Sequence, residues 1–284
     1  MTLRSLLFVP GDRPERMEKA LGTGADALIL DLEDSVAPDR RPQARGDIAA
    51  FLAGADRRAR LLVRVNPLDS GDIEDDLDLV ATARPDAIVV PKAEGAATID
   101  ALARKLADRG GDLPMLPIAT ETPAAIFELG SYASVASRLI GLTWGAEDLP
   151  SAVGATSARE EDGRYTPPYE IVRALTLFGA HAAGIAAIET VFPAFRDLDG
   201  LRHYLARAVR DGFTGMMAIH PSQVAIINDA FTPTEEAIAH ARAVVEAFAA
   251  NPGVGALQLD GKMIDAPHLK QAERLLLRAG ELAG

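Results

Sequence analysis

Short apolar runs recur along the chain and alternate with longer segments in which apolar and charged residues follow a helical period. Most of these runs are continuously apolar and do not alternate with polar residues. Continuous apolar runs are typical of strands that are buried on both faces of a parallel sheet. The eight runs are Ser5–Val9, Ala27–Leu32, Leu61–Asn66, Ala87–Pro91, Met115–Thr120, Leu139–Trp144, Ala186–Val191 and Met216–His220.

The segments between these runs are amphipathic and rich in Ala, Leu, Arg and Glu, as in Arg13–Gly22, Ala96–Arg109 and Tyr169–Ala182. Strands that alternate with helices indicate βαβ units and a parallel sheet. Eight repeats favour a closed (β/α)8 TIM barrel over an open doubly wound sheet. No Gly-x-Gly-x-x-Gly follows the first run, which argues against a dinucleotide-binding fold. We therefore predict an α/β protein whose barrel occupies residues 1–230.

The pattern changes in residues 231–284. Thr234–Ala250 is helical, Asn251-Pro-Gly ends that helix, and Ala256–Asp265 carries an Asp-Gly turn signal. A last helix is predicted from Pro267 to about Ala283. A barrel does not need this tail, so the sequence predicts a C-terminal helical and hairpin arm that caps the barrel or contacts a partner.

Charged residues stand at the ends of nearly all the predicted strands. Because the carboxyl ends of barrel strands open into one mouth, where barrel enzymes have their active sites, these residues predict a shared site. In chain order they are Asp31, Glu33, Asp34, Arg64, Lys92, Glu94, Glu121, Glu147, Asp148, Glu189 and His220.

Two of these carboxylates suit a magnesium ion. Mg²⁺ prefers oxygen ligands, keeps several waters, and often takes only one or two carboxylates from the protein. Glu121 and Asp148 follow consecutive strands and could converge, and Arg64 adds a fixed cation suited to a carboxylate or a developing alkoxide. The alternative for each residue is a surface or core ion pair. The five histidines show no spacing typical of zinc ligands.

Composition narrows the classes of protein. With 284 residues, 48% of them hydrophobic, the chain can form one barrel-sized core. The absence of cysteine excludes disulfides and thiolate zinc sites and favours the cytoplasm. A net charge of −12 argues against binding to nucleic acid. The apolar run Leu6–Val9 ends at Pro10, and no stretch approaches the roughly 20 residues of a membrane span.

Ordered segments along nearly the whole chain match a known family pattern. They are Arg4–Gly11, Leu30–Ala37 with Ala44-Arg45, Val63–Asn66, Val90–Lys92, Ile118–Thr122, Trp144–Leu149, Gly154–Thr156, Gly212–Gly215, Ile219–Gln223 and Asp260–Pro267. On these segments the sequence resembles the citrate lyase β-subunit-like branch of the HpcH/HpaI aldolase family, which includes malyl-CoA and citramalyl-CoA lyases. The resemblance implies a trimer, or a hexamer of paired trimers.

The resemblance also implies roles for individual residues. Glu121 and Asp148 match carboxylates that bind Mg²⁺, with Mn²⁺ as the alternative cation, and Arg64 matches an arginine that contacts the keto acid. Asp265 matches an aspartate on the C-terminal arm that reaches into a neighbouring subunit's site. By itself, Asp265 would indicate only the N-cap of the helix that follows. The segment after the sixth strand supplies the implied substrate-binding residues Gly145, Ala146 and Glu147.

The predicted function is that of a Mg²⁺-dependent carbon–carbon lyase acting on a short 3-hydroxyacyl-CoA, with a 2-keto acid and acetyl-CoA as products. The catalytic set is Arg64, Asp265 and Glu33. Glu33 and Lys92 are expected to orient Arg64 or metal-bound water, and Asp34 is similarly placed. For the phosphates of CoA, which enters as part of the substrate, the candidates are Arg13, Arg16 and Lys19; a solvated helix face explains these three equally well.

Three alternatives stay open at this point. The same site could hydrolyse the thioester of malyl-CoA or citramalyl-CoA, or act as a class II aldolase on a 2-keto-3-hydroxy acid without CoA. The chain could also work only within a larger lyase complex that bears an acyl-carrier protein. Two departures from the family pattern, Ala194 and Glu189, are expected near the rim of the site, where they would bear on substrate preference but not on metal binding.

Overall fold

The computed structural model describes residues 3–281, and the chain divides into two compact units. The first spans Leu3–Asn228 and the second begins at Asp229, two residues before the boundary predicted from sequence. Residues 1–2 and 282–284, and with them the predicted helix end at Ala283, lie outside the described residues.

The first unit contains a sheet of eight parallel strands, in the order β5-β4-β3-β2-β1-β8-β7-β6. The first strand, β1, pairs with β2 on one side and with β8 on the other, so the first and last strands in the chain are neighbours at the centre of the sheet. The strands are β1 Ser5–Pro10, β2 Ala27–Asp31, β3 Arg60–Arg64, β4 Ala87–Val90, β5 Met115–Pro117, β6 Leu142–Thr143, β7 Ala187–Glu189 and β8 Gly215–Ala218.

The two edge strands, β5 and β6, nearly close the barrel. Parallel bridges join Met115 to Leu139 and Ile118 to Thr143. Backbone hydrogen bonds support the seam, since the Ile140 N–H donates to the Met115 carbonyl at 3.0 Å and the Ala119 N–H donates to the Thr143 carbonyl at 2.9 Å. The predicted (β/α)8 barrel is therefore confirmed.

Helices follow the strands in the βαβ order that the sequence predicts. Some begin at residues that favour helix starts; for example, the Thr122 hydroxyl caps α5 by accepting a hydrogen bond from the Ala125 N–H. The helices are α1 Pro14–Ala20, α2 Arg41–Gly54, α3 Ile73–Ala83, α4 Ala96–Ala107, α5 Pro123–Phe127, α6 Leu149–Val153, α7 Pro167–Ala183, α8 Leu198–Asp211 and α9 Pro221–Phe231, with 3₁₀ segments at Pro38–Arg40 and Leu129–Arg138.

Apolar side chains fill the barrel interior, so the barrel is a packed core and not a pore. Inward residues of several strands build this cluster, which includes Leu6, Ile29, Leu62, Val89 and Ile188. Because successive residues of a strand point to opposite faces, the residues two positions further along the inner face reach the mouth. Asp31 and Arg64 are such residues, at the ends of β2 and β3.

Every predicted run contains or overlaps a strand, but several strands end earlier than the runs do. The largest difference is at Leu139–Trp144, where only Leu142–Thr143 is strand. Leu139, Ile140 and Gly141 precede this strand, and after Trp144 the chain is held by bonds outside the ladder. The Thr120 hydroxyl accepts from the Gly145 N–H at 3.1 Å and is 3.2 Å from the Gly145 carbonyl. Apolar residues that flank a strand thus look like strand residues in the sequence.

The second unit has its own small core. It contains α10 Glu235–Ala250, an antiparallel hairpin of β9 Ala256–Leu259 and β10 Lys262–Asp265, and α11 Ala266–Arg278. The buried members of its core are Ala241, Val244, Ile264, Ala272 and Leu276. This is the helix–hairpin–helix pattern predicted for the C-terminal arm. Among the helices of residues 3–281, none combines the length and apolar character needed to span a membrane.

Candidate active site at the mouth of the barrel

A cavity of about 440 Å³ opens at the carboxyl ends of the strands. Its walls combine apolar residues of the barrel interior with charged residues of the strand ends, as expected for a barrel active site. The lining residues used below are Phe8, Arg16, Asp31, Asp34, Arg64, Glu121, Gly145, Ala146, Glu147, Asp148, Thr190 and Val191.

Arg64 is held rigidly at the floor of this cavity. Its Nε and Nη2 donate to the two oxygens of Asp31 at 2.6 and 2.7 Å, a two-point contact that follows from the register pairing of these residues in β2 and β3. Its Nη1 lies 2.8 Å from Glu33 and 3.3 Å from Asp34, and its guanidinium lies 4.9 Å from the ring centre of Phe8. The guanidinium therefore has one orientation and keeps its charge.

The electrostatics of this pair follow from burial and pairing. Burial alone would raise the pKa of Asp31, but the hydrogen bonds and charge of Arg64 hold it below its ordinary value. Burial alone would lower the pKa of Arg64, and the bonds and charge of Asp31 raise it instead. Arg64 is thus a permanent cation in the cavity floor.

Lys92 connects two buried carboxylates. Its Nζ donates to Glu33 at 2.7 Å, and its backbone N–H donates to Glu121 at 2.6 Å. Its φ of 47° is in the left-handed region, which a lysine adopts only when its surroundings hold it there. This backbone turn directs the N–H toward Glu121. Burial raises the pKa of Glu33, and the charge of Arg64 opposes that rise.

Glu121 is an acid of the cavity whose pKa is strongly raised. Burial raises its pKa to about 8, against an ordinary value of 4.5; the hydrogen bond from the Lys92 N–H opposes the rise, and the negative charges of Glu33 and Asp148 add to it. The side chain is 4% exposed and lines the cavity.

The loop after β6 approaches Glu121 closely. A Cβ on Gly145 would lie 2.6 Å from Glu121 Cγ and 3.1 Å from Oε1, so only glycine leaves that carboxylate in place. Ala146 is buried beside it, and Asp148 lines the cavity at the start of α6. Glu147 lines the cavity too and lies 3.4 Å from Arg159.

The residues present fit a divalent cation. Of the residues that the structure describes, five carboxylates but only two cations, Arg16 and Arg64, line the cavity, so it carries negative charge that these side chains leave uncompensated. Its donors are hard carboxylate oxygens, which Mg²⁺ prefers. Among residues 3–281, no group of three or more His, Asp or Glu side chains is arranged to hold a metal. Two carboxylates completed by water and substrate would suit Mg²⁺ and not a closed zinc site.

Three charged strand ends do not reach the mouth, so the prediction of a site shared by all of them is wrong in part. Glu94 is exposed and accepts from the Thr122 hydroxyl at 2.6 Å. His220 is exposed, stacks on Phe195 and contacts the Ser222 hydroxyl at 2.7 Å, although its neighbour Ile219 lines the cavity.

Glu189 is the third, and its predicted place at the rim is wrong. Ile188 points into the barrel, so Glu189 points outward, where it is fully buried. One oxygen accepts from the Trp144 indole N–H at 2.5 Å, and the other accepts from Arg173 Nε at 2.7 Å. Glu189 therefore ties β7 to α7 and to the start of the Gly145 loop. Ala194 is exposed and is not among the cavity-lining residues.

The remaining predicted residues lie outside the cavity floor. Of the three basic residues at the start of α1 and within it, Arg16 lines the cavity. Arg13, the N-cap residue, pairs loosely with Asp12 at 3.6 Å, and Lys19 is exposed on the helix. Asp265 belongs to the second unit and is the N-cap of α11.

Sequence reasoning gave Asp31 no role of its own, although it is the main partner of Arg64. The sequence offers only an indirect signal for this role, since Asp31 and Arg64 end neighbouring strands. Their pairing depends on the strand register, which the sequence does not reveal. The left-handed backbone of Lys92 has no signal either, because lysine does not favour that conformation.

Fold and cavity together define a TIM-barrel protein with an acidic active-site mouth built around a fixed arginine. The model of the HpcH/HpaI aldolase/citrate lyase family matches residues 4–221. The chain belongs to this family.

Individual relatives agree with that membership. The crystal structure of CitE from Mycobacterium tuberculosis, in complex with magnesium, acetoacetate and coenzyme A, matches with a TM-score of 0.82 and 35% identity, covering 99% of each chain. A (3S)-malyl-CoA thioesterase of Cereibacter sphaeroides is 35% identical over 99% of this chain and 95% of its own. An L-malyl-CoA/β-methylmalyl-CoA lyase of the same species is 34% identical over 97% and 94%. The family thus includes lyases of CoA esters.

Proposed function

We propose that this protein is a Mg²⁺-dependent carbon–carbon lyase that cleaves or forms a short 3-hydroxyacyl-CoA, such as malyl-, citramalyl- or citryl-CoA. The observation that carries the proposal is the acidic mouth: Glu121, whose pKa burial raises to about 8, and Asp148 lie in one cavity with the fixed cation Arg64. A cavity of this kind would take up a divalent cation and then a keto acid.

Glu121 and Asp148 are the carboxylates that would hold the cation. When bound, Mg²⁺ would supply Lewis-acid polarisation of the substrate's oxygens. The Lys92 N–H fixes one Glu121 oxygen at 2.6 Å, and the lack of a Cβ on Gly145 keeps the carboxylate in place. The magnesium in the M. tuberculosis complex supports this assignment.

Arg64 would bind the carboxylate or the developing negative oxygen of the substrate. Asp31 holds its Nε and Nη2, and Glu33 lies against Nη1, so the guanidinium meets the substrate without reorienting. Lys92 fixes Glu33 in turn. Cleavage breaks the bond between carbons two and three of the acyl chain, and the hydroxyl loses a proton while the α-carbon gains one.

Asp265 would give the α-carbon its proton in cleavage and remove it in synthesis. We propose that it acts from the arm of a neighbouring subunit, in a homotrimer or a hexamer of paired trimers. An α-proton next to a thioester is weakly acidic, so enclosure by a second chain would help by excluding water. Gly145, Ala146 and Glu147 would line the keto acid, and Arg16, at the cavity rim, would face the CoA phosphates together with Arg13 and Lys19.

The test is product analysis on the purified protein with malyl-CoA, citramalyl-CoA and citryl-CoA offered separately. We expect one of the three to yield keto acid and acetyl-CoA in equal amounts. EDTA and Asp265→Asn should each abolish the products. Lack of turnover of all three esters in the presence of Mg²⁺ would contradict the proposal.

A thioesterase is the second candidate, because a (3S)-malyl-CoA thioesterase is as similar to this chain as the lyases are. In that reaction water would attack the thioester carbonyl, and the carbon chain would stay intact. The same assay separates the two functions, since free CoA with the intact hydroxy acid and no keto acid indicates the thioesterase.

A further inference from the structure

In the C-terminal arm, Asp265 makes a short contact with a histidine, His268, which has no part in the proposed function so far. Asp265 Oδ1 lies 2.5 Å from His268 Nδ1, one helical turn along α11. The backbone N–H of Asp265 also points at that nitrogen, at 3.2 Å. The His268 side chain is 48% exposed, and the Asp265 side chain is 36% exposed.

These two contacts make opposite demands on Nδ1. The Asp265 N–H can donate only to an unprotonated Nδ1, whereas a carboxylate oxygen at 2.5 Å requires a proton between the two atoms. If the proton is on Nδ1, the imidazole donates to the carboxylate. If it is on the carboxyl group, Asp265 donates to Nδ1, which can then also accept from the backbone. Both arrangements keep one proton in the Asp265–His268 contact.

We propose that His268 is a positioning residue through which Asp265 exchanges its proton with solvent; this inference rests on the proposed function. In cleavage the Asp265 O–H bond breaks and a C–H bond forms at the enolate carbon. The resulting carboxylate then faces an unprotonated Nδ1, so His268 takes a proton from water and passes the Nδ1 proton to the carboxylate. The hydroxide left by that water takes up the proton that the substrate hydroxyl releases. In synthesis the same steps run in reverse, and no other reactant is needed.

The surroundings of His268 favour this role. It lines a groove of about 210 Å³ between α10 and α11, together with His240 of α10 and apolar residues of both helices and of β10. Among the residues that line this groove, the only titratable groups are His240 and His268. Asp265 is the carboxylate in contact with His268, at the other end of the 2.5 Å contact.

The contrasting reading is a purely structural one, since His268 and Asp265 also form a capping box at the start of α11. Two substitutions separate the readings. Asparagine places an amide at the position of Nδ1, so His268→Asn keeps a donor to Asp265 but cannot carry a proton onward. His268→Ala removes both functions. His240→Asn is the matched control, because it changes the other groove histidine without touching Asp265.

The experiment measures kcat, KM and melting temperature for these variants with Mg²⁺ and the CoA ester that the wild type cleaves. It also measures the rate at which the methyl group of acetyl-CoA takes up deuterium from D₂O. For both His268 variants we expect kcat and deuterium uptake to fall by roughly ten- to a hundredfold, with KM within about twofold of wild type. Imidazole should restore activity to His268→Ala, and His240→Asn should behave as wild type.

Other outcomes overturn the inference in distinguishable ways. Wild-type kcat and deuterium uptake in His268→Asn would reduce His268 to a helix cap, and failure of imidazole to rescue His268→Ala would exclude proton exchange. If Asp265→Asn is fully active, Asp265 itself has no proton to exchange. If the wild type cleaves none of the CoA esters, the proposed function fails first, and the inference falls with it.

Discussion

At the scale of single residues, the site depends on the fixed orientation of the Arg64 guanidinium. Asp31 grips the guanidinium at two points, and Glu33 and Asp34 lie against a third nitrogen. Lysine has the same charge but a single donor centre, so it cannot reproduce this two-point contact. The geometry of the cation, and not only its charge, is what the site preserves.

Arg64→Lys should therefore lower kcat/KM by about a hundredfold or more, as expected when a preorganised donor to a developing charge is lost. Steady-state kinetics with the cleaved CoA ester measures this. Arg60→Lys, on the same strand but away from the cavity, is the control. Equal kinetics for Arg64→Lys and wild type would show that a positive charge alone suffices.

Glu121 makes the metal-free protein sensitive to pH. Because burial raises its folded-state pKa to about 8 from 4.5, folding favours the protonated form. This contribution to stability is fully present below about pH 4.5 and is lost progressively as pH rises to about 8. Above that pH, in EDTA, Glu121→Gln should melt higher than wild type by at least about 3 °C, which is roughly 1 kcal/mol for a domain of this size.

Added Mg²⁺ should reverse that order. A cation that binds only the folded state raises the melting temperature of the wild type, and Glu121→Gln should gain much less. Thermal melts with and without Mg²⁺, above and below about pH 8, measure both effects. A melting temperature that responds equally to Mg²⁺ in the two proteins would place the cation elsewhere.

At the scale of elements, the loops at the strand ends are as constrained as the strands. Gly145 lets the loop after β6 approach Glu121, since a Cβ would lie 2.6 Å from Glu121 Cγ. Behind the same loop, Trp144 donates to Glu189, which also binds Arg173 of α7. The position of the mouth loop thus depends on a contact between a strand and a helix outside the barrel.

Gly145→Ala should displace Glu121 and raise the Mg²⁺ concentration for half-maximal activity by about tenfold or more, as when a residue that orients a metal ligand is changed. Gly46→Ala is a matched control, because that glycine lies within α2 with no atom near its would-be Cβ. Activity titrated against Mg²⁺ gives the comparison. Unchanged Mg²⁺ dependence in Gly145→Ala would mean that Glu121 tolerates the added methyl group.

Glu189→Gln should lower the free energy of unfolding by about 3 kcal/mol, because it leaves a buried arginine without its main partner. Glu170→Gln, also a partner of an arginine but a partly exposed one, should cost less than about 1 kcal/mol. Denaturant unfolding of the two variants tests this contrast. Losses of similar size would show that Asp211, the other partner of Arg173, is sufficient.

At the scale of the whole molecule, the two compact units carry different parts of the proposed chemistry. The first contains the acidic cavity, and the second contains Asp265 with His268. If Asp265 acts in a neighbour's site, each complete site needs a first unit from one chain and an arm from another. Activity would then depend on assembly and not on a single folded chain.

Glu121→Gln and Asp265→Asn, each inactive alone, should therefore restore activity when co-expressed. In a symmetric oligomer of equal mixture, about a quarter of the sites would combine an intact first unit with an intact arm. The turnover of the co-purified mixture relative to wild type is the measurement. No recovery in mixed oligomers would mean that Asp265 serves its own chain or has no role in turnover.

The sequence by itself determined the fold class and the site's location. Continuous apolar runs alternating with amphipathic helices specify a parallel barrel, because strands buried on both faces leave no polar positions to alternate. Most of the polar residues at the run ends then fall at or beside one mouth, although Glu94, Glu189 and His220 do not. Family motifs added Glu121, Asp148 and Arg64 as candidates, and all three line the cavity.

Only the tertiary structure decided which of those side chains face the cavity. Glu189 points outward because Ile188 points inward. A run without alternating polar residues does not reveal which of its residues face the barrel interior. The grip of Asp31 on Arg64 depends on strand register, and the meeting of Lys92 with Glu33 and Glu121 depends on a left-handed backbone. These contacts join residues distant in the chain, so they exist only once the barrel has closed.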